Sequence, residues 1–147
     1  MKMIRYAAIL AAPLAFALVN PLGAQDSPMT GGDYVEVSQV TIDDGHFGDY
    51  ADFLADTWRK RQDFAKKQGW ITGYEVLGNV NPRPGEPDLI LVVRFASLPT
   101  GAEGEKRGAV MRDFFKQTDK QMEAASAERA KYRHVIGSTL WQVMNFK

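Results

Sequence analysis

Two residues in this chain stand where a polar or charged group needs a reason. His46 follows a turn bearing Asp43 and Asp44 and precedes Asp49, so it could act as a general base or as one ligand of a metal. The plainer reading is a solvated turn in which a carboxylate caps free helix N–H groups. A metal site needs three or four converging ligands, which this local cluster does not supply, so no metal and no cofactor is expected. Arg94 interrupts an otherwise apolar segment and shares its face with Ile90 and Val92. A charge placed there must pair, with Glu36 or Glu75 for example, or else hold an anionic group of a ligand. Gln142 is a weaker case of the same kind. Tyr50, Trp58, Tyr74 and Trp141 could stack on a flat ring, although at helical or strand spacing such residues more often fill a core.

Several chemistries are excluded outright. The 147-residue chain has no cysteine, which removes disulfides, thiolate nucleophiles and thiolate metal sites. Neither a Gly-rich phosphate loop, a Ser-His-Asp order nor a zinc spacing is present. The basic run from Arg59 to Arg61, with Lys66 and Lys67, reads as a solvated helix face. His134, beside Arg133, reads as a cation at the end of the second helix, complementing its dipole.

The elements that must carry these residues follow a simple order. Lys2 and Arg5 precede an apolar stretch from Tyr6 to Val19, and Pro21 to Ala24 supplies a break and a small residue. Residues 1–24 are therefore expected to be a cleaved signal peptide, since the apolar run falls short of the roughly 20 residues that span hydrocarbon. The product would be periplasmic or secreted, with no stable membrane anchor. Removing Lys2 and Arg5 from 18 basic residues leaves 16 against 18 acidic ones, a net charge near −2. Nothing in that balance attracts nucleic acid.

Residues 25–33 are rich in Gly, Ser, Pro and Thr and read as a disordered lead-in to a domain over 34–147. Tyr34–Ile42 reads as a first strand and Phe47–Gln68 as a helix stopped by Gly69. Ile71–Val80 reads as a second strand, followed by a loop with Pro82, Pro84 and Pro87. Leu89–Phe95 is the most apolar strand. A long helix is expected over Glu105–Arg133, with a possible kink at Thr118 and a stop at Gly137, before a last strand over Thr139–Phe146.

A half-buried strand alternates apolar and polar residues, and two of these strands do not. Leu89, Leu91, Val93 and Phe95 occupy one face of the third strand, with Ile90 and Val92 on the other. In the last strand Trp141 and Val143 oppose Leu140, Met144 and Phe146. Two helices cover only one face of a sheet. The second face is therefore expected to be covered by another copy of the chain.

The element order, the Gly-containing turn before an aromatic-rich first helix and the closing segment Gly137-Ser138-Thr139-Leu140-Trp141 resemble the dimeric α+β barrel proteins. That group includes antibiotic-biosynthesis-type monooxygenases, EthD and NIPSNAP-like proteins, stress-responsive barrel proteins and haem-degrading enzymes. The resemblance covers residues 34–146. It implies an α+β, ferredoxin-like βαββαβ fold with a four-stranded antiparallel sheet, two copies forming a barrel, and an apolar pocket between sheet and helices. Haem-degrading members use a histidine on a helix facing the pocket; neither His46 nor His134 is expected inside a helix, so that activity is not carried over.

Two functions fit this reading. The leading one is an exported homodimer that binds a small apolar or aromatic molecule, with Tyr50, Trp58, Tyr74, Trp141 and Gln142 lining the site. The alternative is a cofactor-independent monooxygenase or isomerase acting on an aromatic or polyketide-like substrate, with His46 and Arg94 as its catalytic residues.

Overall fold

The computed structural model describes residues 27–147; the expected signal segment, with Gln25 and Asp26, lies outside them. The order is β1 (Met29–Ile42), α1 (Phe47–Phe53), a π-helical turn (Leu54–Trp58), α2 (Arg59–Lys67), β2 (Gly73–Gly78), β3 (Leu89–Phe95), α3 (Gly101–Phe115), α4 (Asp119–Arg129) and β4 (Arg133–Phe146). The strands form one antiparallel sheet in the order β2-β3-β1-β4, an α+β arrangement compatible with a ferredoxin-like fold. No helix among the described residues is long and apolar enough to cross a membrane.

Local chemistry accounts for most of these boundaries. Helix α2 closes with Lys66 and Lys67 in its last turn, and Gly69 follows at φ 72°, a left-handed conformation that glycine adopts without steric cost. Thr100 caps α3 by accepting from the Glu103 amide at 3.3 Å. β3 spans the seven residues that its apolar run marks out, interrupted only by Arg94.

Four expectations are corrected. The second long helix is two, α3 and α4. Lys116 sits in the left-handed region at φ 53°, and Thr118 and Gln121 form a reciprocal capping box that starts α4 afresh. Gly137 does not stop a helix. β4 begins at Arg133, and Gly137 lies inside it opposite Gln39, beside a register shift between Gln39 and Val40. His134 therefore belongs to a strand, where its Nε2 lies 3.0 Å from Asp43 Oδ1. Lastly, β1 starts at Met29, so residues 29–33 are not a disordered lead-in: Met29, Thr30 and Gly31 pair with Phe146, Asn145 and Met144. β2 is shorter than its pattern, ending at Gly78.

Register fixes the two faces. Tyr34, Glu36, Ser38 and Val40 align with Phe95, Val93, Leu91 and Leu89, and this face meets the helices. Its core is Val40, Tyr50, Leu54 and Leu89, with Ile42, Phe53, Trp58, Leu91 and Tyr132 packed around it. The opposite face carries Val37, Ile90, Val92 and Arg94, extended by Leu77 and Trp141 on the outer strands. There Trp141 is 61% exposed, Leu77 47% and Val143 42%. β4 is open on its other side too, where Leu140 and Met144 are half exposed. The buried apolar set is short for a domain of this length, and much of its apolar surface is left wet.

Replacing Leu89 with alanine removes side-chain volume from the centre of this small core. It is expected to cost about 2–5 kcal/mol in urea denaturation, whereas the exposed Leu98→Ala should stay within about 0.5 kcal/mol.

Candidate functional site

The π-helical turn interrupts a single run of helix from Phe47 to Lys67. A π turn holds one more residue than an α turn, is rare, and tends to occur at functional sites. Here it stands over β2 and β3. Between them lies a crevice of about 340 Å3, lined chiefly by Phe47, Ala51, Leu54, Trp58, Val76 and Leu89. Ala51 and Ala55 keep the helical wall low. Tyr74 closes one side, its ring edge-on to Trp58 with centroids 5.3 Å apart. Arg59 and Glu75 are the charged residues of the lining. The volume lies at the small end of the range for ligand pockets, and the lining suits an uncharged apolar guest.

The Tyr74 hydroxyl donates to Asp63 Oδ1 at 2.5 Å. That bond favours the neutral phenol and raises the Tyr74 pKa above its ordinary value, with burial and the Asp63 charge adding to the effect. A hollow of about 370 Å3 at the β1–α1 turn differs in character, since Asp43, Asp44, Asp88 and Asn79 line it beside Phe47. The carboxylates there would resist desolvation by an apolar guest.

Of the expected ligand-binding residues, the structure brings Trp58 and Tyr74 together at the crevice. Tyr50 is 2% exposed, stacked on Phe53 at 5.5 Å, and belongs to the core beneath. Its pKa is raised by burial, against the opposing pull of Arg133 and Arg129. Trp141 lies on the sheet face away from the helices, with Nε1 donating to Thr139 Oγ1 at 2.8 Å. Gln142 is committed to the backbone: its Nε2 donates to the Gly32 carbonyl at 3.2 Å. A Cβ at Gly31 would come within 2.5 Å of that Gln142 nitrogen, so the glycine makes room for the contact.

His46 and Arg94 are not brought together. His46 Nδ1 lies 2.8 Å from Asp49 Oδ2, and its ring stacks on Tyr132 with centroids 5.1 Å apart. Arg94 donates to Glu75 Oε1 at 2.6 Å. Arg94 is opposite Val35, while His46 follows the far end of β1 at Ile42. Seven residues of strand separate those points, roughly 23 Å at about 3.3 Å per residue. The acidic turn does not converge as a ligand set either, because Asp49 bonds to His46 and Asp43 to His134. No group of three such side chains is placed to hold a metal among the described residues.

Phe47, Ala51, Ala55 and Val76 were not among the residues expected at the site. The alternation of β2 could have shown Val76 on the same face as Tyr74, but nothing in the local sequence announces a π turn. No family model matches the chain, and no curated protein is significantly similar to it.

Raising the pH should deprotonate Tyr74 and abolish its donation to Asp63. A folded-state pKa raised above the unfolded value means the contribution is complete below about pH 10 and is lost as pH climbs through the folded value. Difference-absorbance titration should show one late-ionising phenol fewer in Tyr74→Phe than in the wild type, Tyr50 remaining late in both.

Proposed function

We propose that the protein is an exported homodimer that holds a small, uncharged apolar or aromatic molecule in the crevice between the π-helical turn and strands β2 and β3. The observation that carries this reading is the crevice lining: Phe47, Leu54, Trp58, Val76 and Leu89 converge, and the two charged members are its exceptions. Export rests on the n-region of Lys2 and Arg5 and on the apolar stretch that follows.

The dimer rests on the sheet. Trp141, Leu77 and Val143 lie on the face away from the helices and are substantially exposed. A second copy offers the same apolar face, and two such faces bury each other, giving two packed sheets in the manner of a dimeric α+β barrel. The oxygenase or isomerase alternative needs a proton acceptor at the crevice. Among the residues lining it, the one carboxylate is Glu75, already bonded to Arg94. Binding without chemistry is the simpler use of such a site.

At micromolar concentration, sedimentation equilibrium should give a dimer mass, and Trp141→Glu should shift it to a monomer by burying an unpaired charge at the contact. A persistent monomer in the wild type would remove the dimer from this reading. Naphthalene, present at 100 times its dissociation constant, should stabilise the protein by about 2.7 kcal/mol. Val76→Trp, which fills the crevice from an exposed strand position, should abolish that gain, and an equal gain in the variant would place the guest elsewhere.

A further inference from the structure

The ends of α1 and α3, the π-helical turn, α2 and α4 border a second crevice, and its charge is unbalanced. Its volume is about 240 Å3, and Arg61 and Arg129 line it together with Phe53, Phe115 and Met122. Arg133, at the start of β4, stands behind Arg129 and reaches Ser126 Oγ at 3.5 Å. Among the described residues, no carboxylate lies within ion-pair distance of any of these three arginines. Nearby acids are engaged elsewhere: Asp56 with Lys60, Asp119 with Arg112, and Glu128 with Lys131.

Like charges gathered without a counter-ion repel, and burial increases the cost. The Nε atoms of both Arg129 and Arg133 are buried with no acceptor. Burial, and then the Arg133 charge, lower the Arg129 pKa from its usual value. One partner is aromatic: the Arg129 guanidinium carbon lies 3.9 Å from the centre of the Phe53 ring. The guanidinium thus lies over the ring. Its N–H groups point outward in the plane of the fork, where a planar oxyanion is matched by two parallel hydrogen bonds. Arg61 makes one weak side-chain contact, to Met122 Sδ at 3.9 Å.

We propose that this crevice is a second binding site, taking a small organic carboxylate whose charged end lies between Arg61 and Arg129 and whose apolar body rests on Phe53, Phe115 and Met122. The aromatic and methionine walls favour an organic acid over a bare inorganic oxyanion. Trp58 contributes to the walls of both crevices, but the remainder of each lining is distinct. The site does not depend on the neutral guest proposed above.

Calorimetry and thermal unfolding of the mature protein with sodium benzoate test this, with benzyl alcohol as the uncharged counterpart and inorganic phosphate as the bare oxyanion. Benzoate should bind at least tenfold more tightly than either, with an affinity that falls as salt is raised. Arg61→Gln, at an exposed position that the fold does not need, should weaken benzoate about tenfold. Arg129→Gln should do the same wherever it folds. Val76→Trp, which blocks the neutral crevice, should leave benzoate binding unchanged. Equal binding of benzoate and benzyl alcohol, equal binding of phosphate, or wild-type affinity in Arg61→Gln would each overturn the proposal. So would loss of benzoate binding in Val76→Trp.

Discussion

Strand β1 pairs on both sides, with β3 along one edge and β4 along the other, and every other element takes its place from that pairing. The period of a strand is two, so one residue of slip would turn the helix-facing set to the opposite side. The alignment of Val40 with Leu89 prevents this. Both are buried, and both contribute to the small core closed by Tyr50 and Leu54 from α1 and the π-helical turn. Shifting Val40 outward would lose the most completely buried side chain described. The register is thus set by hydrophobic burial at one end of the sheet, while the far end of β1 and β4 runs on as a ribbon beyond β3.

That ribbon explains why the apolar surface is spread as it is. β1 and β4 each span 14 residues, whereas β3 has seven and β2 six. Two long strands alone are only marginally stable in water, because neither face has enough cover. Phe146, 81% exposed, lies at the tip of the ribbon, and Trp141 lies further in. Apolar residues on both sides of β4 leave this strand with wet apolar surface on each face.

Much of the architecture was legible because it follows from short-range rules. β3 is an apolar run broken only by Arg94, α2 ends at lysines and a glycine, and the prolines after β2 forbid a strand. The misreadings of where β1 and β4 begin share one cause. Gly31, Gly32 and Gly137 look like punctuation, yet in the structure they lie within strands, where a missing Cβ admits a neighbouring side chain or sits beside an irregular pairing. Tertiary pairing overrode the local signal. The site was legible in part: Trp58 and Tyr74 meet because a helix and a strand each place an aromatic towards the same gap. Tyr50 sits about two turns before Trp58 and falls into the core. Arg61 lies far in sequence from Arg129 and Arg133, and no pattern announces their meeting.

The π-helical turn has a wider effect than the crevice it borders. One surplus residue in a single turn advances the phase of the following helix by about 100° relative to an uninterrupted α-helix. Trp58, the last residue of the turn, borders both crevices, and Arg61, three residues on, borders the cationic one. Deleting a single residue from this turn would rewind the helix like a slipped screw thread, and both hollows would lose their shared wall in one step.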